Sequence, residues 1–487
     1  MPRLSRTVVR NSAFGVGSQF AIKLLSFGFS VLVVRHLGAA EYGQYAAALA
    51  FGAIFVFLAD LGLSPYAVRE VARRRDRPGG EEEIRALYGN LLTLRLLLSL
   101  ATAVLLIAAA WLTGRPAVMV GAIALGAVGL VIHSVYGASE AVAAGSERLD
   151  LPAAARVLYQ FLFVLLGAAA LWFGLGYYGL IFANLAAIAA MAWMGWRVVG
   201  QLGIRPTRAA ISCWPALLRA SVPFGVIGFT LGLSYRFDSV LLSVYRSDVE
   251  TGYYNAAYNL VFSATVLSNA INTALYPSLA RDAASSVDGL WRTYERALRY
   301  LMVIALPIAA GIWAVADELV PFLFTTSYLP AAAVLRIVIW AVPLMFASEF
   351  LGYVVVIRGD EGRVARSVAI STGLNVALNL ILVPRFGLTA AALMTVATEL
   401  VLVGQYLWLL RAELRRLDLG RAVGRPLAAA LIMSGLALAL RDLPLVAVAA
   451  LAALAYAALL LALGVAGRDE LHFLRSLRRP APAAQSA

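Results

Sequence analysis

Apolar residues in this chain come in blocks of about twenty, each closed by a short polar segment bearing arginine, and about twenty residues is the helix length that crosses a hydrocarbon core. Inside that core the backbone has no water to bond, so blocks of this length fold as helices. Bounded by charge and turn residues, they predict spans at 12–34, 43–65, 87–112, 117–140, 153–173, 177–199, 218–244, 253–276, 297–316, 331–357, 366–384, 387–410, 426–441 and 444–464. Hydrophobic residues make up 62% of the chain and charged residues 14%, against about a half and a quarter in soluble proteins. A water-soluble fold is thereby excluded. The expectation is an all-α polytopic membrane protein of about fourteen transmembrane helices.

The net charge of +13 rests almost wholly on arginine, Lys23 being the single lysine. Its distribution is that of a membrane topology signal rather than of a nucleic-acid surface. Alternate loops collect Arg3, Arg6 and Arg10; Arg69, Arg73, Arg74, Arg75 and Arg77; Arg148; Arg197, Arg205 and Arg208; Arg281 and Arg292; Arg358, Arg363 and Arg366; Arg411, Arg415, Arg416 and Arg421; and Arg468, Arg475, Arg478 and Arg479. The loops between them carry only Arg35, Arg115, Arg246, Arg385 and Arg441. The positive-inside rule puts the first set, and with it both termini, on the cytoplasmic side of the cell's inner membrane. The first apolar run follows a basic stretch as a secretory signal does, but its length and the spans after it mark a retained helix. The Pro/Ala-rich tail from Pro480 to Ala487 is expected to be disordered.

Two halves of the chain resemble each other at an offset of about 210 residues. Ser12-Ala-Phe-Gly15-Val-Gly17 returns as Ser221-Val-Pro-Phe-Gly225-Val-Ile-Gly228, and Glu41-Tyr-Gly43-Gln-Tyr45 as Glu250-Thr-Gly252-Tyr-Tyr254. Gly145-Ser-Glu147-Arg148 returns as Gly359-Asp-Glu361-Gly-Arg363, and Tyr178-Gly179-Leu180 as Phe386-Gly387-Leu388. The order is kept throughout. Six spans per repeat make this a parallel duplication about an axis along the membrane normal, with a substrate site expected between the bundles. The domains so expected are residues 1–200 and 201–411 as six-helix bundles, 412–467 as two added helices, and 468–487 as a cytoplasmic tail.

A Walker A loop needs Gly-Lys-Ser or Gly-Lys-Thr, and the sole lysine lies in Ile22-Lys23-Leu24 within an apolar run. There is no His-Glu-x-x-His site, and one cysteine, Cys213, with His36, His133 and His472 gives neither a disulfide nor a zinc set. No cofactor is expected. The segments on the arginine-poor side, such as Thr113-Gly-Arg115-Pro116, are too short to house a catalytic domain, so the reading is a transporter, not an enzyme.

Polar residues inside the spans then carry the argument, because a charge in hydrocarbon is costly and is turned toward a cavity or a partner. Lys23 either attracts an anionic head group into a central cavity or joins a helix–helix ion pair. Arg236 and Asp238 are two residues apart on one helix, so they point different ways and need outside partners. Arg236 lies nearly where Lys23 lies in the first repeat, and the pair either flanks a cavity suited to a diphosphate or anchors the outer interface. Asp60 is read as a structural or gating partner of the cytoplasmic Arg69. Glu349 and Glu399 are candidates for proton or sodium coupling. Asn255 with Asn259, and Asn375 with Asn379, each set two amides on one helix face, for sugar hydroxyls or for interhelical bonding. His133 and Glu140 carry the same two readings, and Pro65, Pro223, Pro277, Pro307 and Pro343 allow helices to bend.

Arg10-Asn-Ser-Ala-Phe, Leu37-Gly38-Ala-Ala-Glu41-Tyr42-Gly43-Gln-Tyr45 and Asp60-Leu-Gly62-Leu resemble the opening of the polysaccharide (O-antigen) flippases. The likeness continues through Asp238-Ser-Val-Leu-Leu, Gly252-Tyr-Tyr254-Asn-Ala-Ala-Tyr258 and Leu374-Asn375-Val-Ala-Leu-Asn379-Leu with Phe386-Gly387-Leu, over the first twelve spans. That resemblance implies membership of the multidrug/oligosaccharidyl-lipid/polysaccharide exporter superfamily, with two six-helix bundles forming a V. It implies a polyprenyl-diphosphate-linked sugar or oligosaccharide as substrate, flipped outward by alternating access during cell-surface polysaccharide synthesis. Lys23 and Arg236 are the positions that would receive the diphosphate, and glycosyltransferases or a polymerase of the pathway are the implied partners. A cation-coupled drug exporter of the same superfamily, a polytopic glycosyltransferase or ligase, and a scaffold of an export complex are the alternatives.

Overall fold

The computed structural model describes residues 2–285, 287–414 and 418–465, with side-chain surroundings for all of these except 2–21, 24, 227, 231, 234, 266, 269, 270, 273–285, 287–290, 292, 413 and 414. The predicted tail from Pro480 and the Ser12–Gly17 side of the repeat lie outside the described surroundings. Each apolar block is a helix: α1 (Pro2–Asp60), α2 (Leu63–Arg74), α3 (Gly80–Leu112), α4 (Ala117–Gly145), α5 (Asp150–Trp172), α6 (Gly176–Gln201), α7 (Trp214–Tyr245), α8 (Asp248–Ser285), α9 (Val287–Ala314), α10 (Ala316–Leu323), α11 (Pro330–Val338), α12 (Ala341–Ile357), α13 (Glu361–Leu409), α14 (Arg411–Leu414), α15 (Arg425–Ala439) and α16 (Leu445–Ala462). No strand occurs among the described residues.

Among those residues, 11 helical segments are long and apolar enough to cross a membrane. Two of these join a pair of predicted spans across a glycine. Gly38 in α1 (φ 69) and Gly387 in α13 (φ 58) take left-handed backbone angles that a side chain would strain. Divided there, and with the 38 residues of α8 added, the helices recover the roughly fourteen spans read from the sequence. The chain is a multi-pass membrane protein.

Its helices leave large apolar side chains outside as well as inside. Helix α3 buries Ser99 and Thr102 while it exposes Leu97, Leu100 and Val104, which is the pattern expected where the surroundings are lipid. Trp111 and Trp172 stand exposed at the ends of α3 and α5. Trp193 and Trp408 stand exposed near the ends of α6 and α13, with the Arg197 and Arg411 guanidinium groups 4.8 Å and 4.9 Å from their rings. Aromatic rings paired with arginine sit at membrane–water interfaces.

The contacts divide the chain into two compact units. The first comprises 1–259, 323–334 and 368–394. Its core includes α2, which the sequence reading treated as a polar loop. Leu63, Ala67 and Val71 are buried at a four-residue spacing against α3 and α4, so α2 is amphipathic rather than disordered. The second half of α1 runs along α7, where Phe57 lies over Gly228 and Gly232. Between the helices, Arg75 after α2 pairs with Glu147 after α4 at 2.6 Å, and Arg115 after α3 pairs with Asp248 at the start of α8 at 2.9 Å.

The second unit comprises 260–322, 335–367 and 395–487. Within it, α12, α15 and α16 pack on α9. Tyr294 meets Phe350 edge to face at 6.1 Å, and the Tyr456 hydroxyl donates to the Val303 carbonyl at 3.0 Å. The two added helices are thus bonded into the membrane body rather than trailing from it.

Candidate functional site

In the first unit the charges inside the spans fall into two groups, those with an ion-pair partner and those that form no ion pair among the described residues. Asp60 closes α1, and Leu61 and Gly62 after it are both left-handed (φ 44 and 77). This corner brings Ser64 back so that its hydroxyl donates to Asp60 Oδ1 at 2.7 Å. Arg95, rising from α3 and 5% exposed, bonds both Asp60 and Ser64. Its guanidinium occupies the space a Cβ on Gly137 would need, and His133, one turn earlier on α4, lies in the field of both charges. The expected Asp60–Arg69 pair is therefore replaced. The corner turns α2 out of line with α1, and Arg69 lies beside Glu70 at 3.5 Å with Tyr66 and Phe224 each 5.5 Å away. A half-buried carboxylate within a membrane takes the cation that lies against it. Arg95 had a legible signal, a single cation within Leu94-Arg95-Leu-Leu-Leu.

At the other end the sequence repeat becomes a contact. A Cβ on Gly43 would strike the Asp248 carbonyl and one on Gly252 the Ala39 carbonyl, so each glycine lies on the backbone of the other's helix. Such crossings need two small residues. Glu41 lies beside Gly176, and Glu250, its counterpart in the repeat, beside Gly387. Asp248 takes hydrogen bonds from Arg115 at 2.9 Å and from Gln44 at 3.1 Å, while Arg246 pairs with Glu250 at 3.2 Å.

Between the ends, Asp238 is buried and accepts from the Tyr254 hydroxyl and the Ser239 backbone. Asn255 accepts from the Ser239 hydroxyl at 3.1 Å and donates to the Thr251 carbonyl, and Asn259 donates to the Tyr42 hydroxyl at 2.6 Å. Asn379 donates to Asn375 at 3.0 Å. Asn255 and Asn259 thus join their helix to α7 and α1, whereas the Asn375–Asn379 bond lies within α13. Lys23 is exposed and Arg236 half-buried, and neither forms an ion pair or hydrogen bond among the described residues. Glu140 pairs with Arg156 at 2.6 Å. In the second unit Glu349 accepts from Ser268 at 2.6 Å, and Glu399 from Ser348 at 3.0 Å. At the start of α5, Arg148 Nε donates to Asp150 Oδ1 at 3.1 Å.

The sequence matches the family described as polysaccharide biosynthesis protein over residues 8–282, more than half of the chain. The chain belongs to that family. No curated protein matches it. Among solved structures it is similar to the lipid II flippase MurJ in its inward closed conformation, at 14% identity and a TM-score of 0.78, covering 96% of this chain and 100% of that one. It is also similar to an inward-facing multidrug resistance MATE transporter of the MOP superfamily, at 15% identity and a TM-score of 0.61, covering 81% and 94%. A MOP superfamily transporter from Pyrococcus furiosus gives 15% identity and a TM-score of 0.54, covering 82% and 93%. At these identities the likeness is one of fold. The polysaccharide biosynthesis member therefore has the fold of the MOP transporters and flippases, as its resemblance implied.

Proposed function

We propose that the chain flips a polyprenyl-diphosphate-linked sugar or oligosaccharide from the cytoplasmic to the outer leaflet. The observation that carries this reading is the unequal treatment of its intramembrane cations. Arg95 on α3 and Arg156 on α5 each have a carboxylate partner, while Lys23 and Arg236 form no ion pair among the described residues. An unpaired cation at membrane depth is stable only beside water or an anion, and a diphosphate supplies an anion that takes charge-assisted bonds from both residues. Asn255 and Asn259 hold α8 to its neighbours, Asn375 and Asn379 supply a further pair of amides on α13, and the Gly43–Gly252 crossing closes one end. Two bundles, 1–200 and 201–411, rock about this centre, with both termini in the cytoplasm.

The drug-exporter alternative is weaker because the fold likeness to the flippase extends over 96% of this chain, against 81% for the MATE transporter. The test is reconstitution in liposomes carrying a fluorescent undecaprenyl-diphosphate sugar whose outer-leaflet fraction is bleached by dithionite. Full-length protein is expected to expose the inner-leaflet pool. Bleaching no faster than in protein-free liposomes, with the protein folded, rejects the proposal.

A further inference from the structure

Residues 151–237 include no aspartate or glutamate, and the linker that joins α6 to α7, residues 202–213, lies inside this acid-free stretch. Helix α6 and the segment from Ile211 onward are each long and apolar enough to cross a membrane, so the short linker between them lies at a bilayer surface. It is held there rather than slack. The Thr207 backbone donates to the Arg85 carbonyl at 3.3 Å, and a Cβ on Gly89 would strike the Thr207 carbonyl, so the linker backbone rests on α3. Further along, Asn90 Oδ1 accepts from the Ala210 backbone at 2.8 Å and from the Trp214 indole at 3.0 Å. Ile204, Trp214 and Leu218 pack inward on the apolar core that includes α2, α3 and α4.

The outward face carries charge of one sign. Arg205 and Arg208 are exposed, as is Arg219 on α7, and none of the three forms an ion pair among the described residues. Other surface arginines of the first unit are treated differently: Arg73 lies 3.4 Å from Glu70, Arg75 2.6 Å from Glu147 and Arg148 3.1 Å from Asp150. Between Arg208 and Arg219 in the chain, Ile211 stands 70% exposed. A backbone already ordered, displaying unpaired cations beside an exposed apolar side chain, suits a surface of anions above hydrocarbon.

We infer that the linker between α6 and α7 is a docking surface for anionic phospholipid headgroups, with Arg205, Arg208 and Arg219 donating to the phosphates and Ile211 dipping toward the acyl chains. The surface is separate from Lys23 and Arg236, and its test involves no lipid-linked sugar. Cys213, the single cysteine of the chain and exposed within the linker, takes an environment-sensitive dye. Full-length protein in nonionic detergent is titrated with phosphatidylglycerol, phosphatidylcholine or inorganic phosphate, and the dye emission is read against the amount added. Phosphatidylglycerol alone is expected to shift the emission to the blue, saturably and less in high salt. Arg205→Gln and Arg208→Gln should each raise the half-saturating mole fraction about fivefold, and the triple variant with Arg219→Gln should give no saturable shift. Arg73→Gln/Arg75→Gln, which removes two arginines that have carboxylate partners, should leave the titration close to wild type. The inference is overturned by an equal shift with phosphatidylcholine, by saturation with inorganic phosphate, by a phosphatidylglycerol response that survives the triple variant, or by an equal loss in Arg73→Gln/Arg75→Gln.

Discussion

Removing Asp60 should cost far more than removing its partner. Arg95 is 5% exposed and its Nε already lacks an acceptor, so Asp60→Ala would leave a buried guanidinium with only the Ser64 hydroxyl. Breaking a buried pair from this side costs about 3–5 kcal/mol. Asp60 is different, with a side chain 22% exposed and two donors from Ser64. Arg95→Met therefore strands a better solvated group and should cost about 1–3 kcal/mol. The double variant Asp60→Leu/Arg95→Met carries no stranded charge and should lie within about 1–2 kcal/mol of wild type, since apolar replacement of a buried pair is often neutral. Equilibrium unfolding in mixed detergent–SDS micelles measures all three. Scaling with chain size makes the Asp60→Ala loss roughly 3–10 °C in apparent Tm. Additive single and double variants, or an Asp60→Ala loss below about 1 kcal/mol, would refute the assignment of Asp60 and Arg95 as one coupled unit.

Gly43→Val and Gly252→Val should each destabilise the protein by more than about 3 kcal/mol, because the new side chain meets backbone that cannot yield; Gly28→Ala and Gly52→Ala, which meet nothing within 4 Å, are the matched controls in the same unfolding assay. Gly137→Ala should displace the Arg95 guanidinium and lower Tm in wild type but much less in the Arg95→Met background. Asp248→Asn weakens two hydrogen bonds to Arg115 and Gln44 and should raise thiol labelling of a cysteine placed at residue 43 or 44. Glu147→Gln, which removes the exposed Arg75 pair at 2.6 Å, should leave the unfolding midpoint nearly unchanged, the more so in high salt.

Helix number and class were legible because apolar length is a property of the solvent, and any span must satisfy it whatever it packs against. The repeat was legible too, and Gly43 with Gly252 gave it physical meaning, since each glycine lies on the other's helix. Helix α2 was not, because its buried Leu63, Ala67 and Val71 are diluted by Arg69, Arg73 and Arg74, and arginine in a loop also signals topology. Partners were the least legible feature. Asp60 chose Arg95, 35 positions away, over Arg69, nine away, because a left-handed corner breaks the helical register on which sequence spacing depends. Asn255 and Asn259 matched the interhelical reading given beside the sugar-binding one, as their partners Ser239 and Tyr42 could be found only from the packing.

The central claim is that Lys23 and Arg236 are kept free for an anionic head group. The direct measurement is the Kd of a short-chain polyprenyl-diphosphate sugar for purified wild type, Lys23→Gln, Arg236→Gln and the double variant. Each lost charge-assisted contact is expected to weaken binding by about 1.5–3 kcal/mol, tenfold or more, with the thermal stability of the variants unchanged. A double variant that binds the lipid as tightly as wild type contradicts the account.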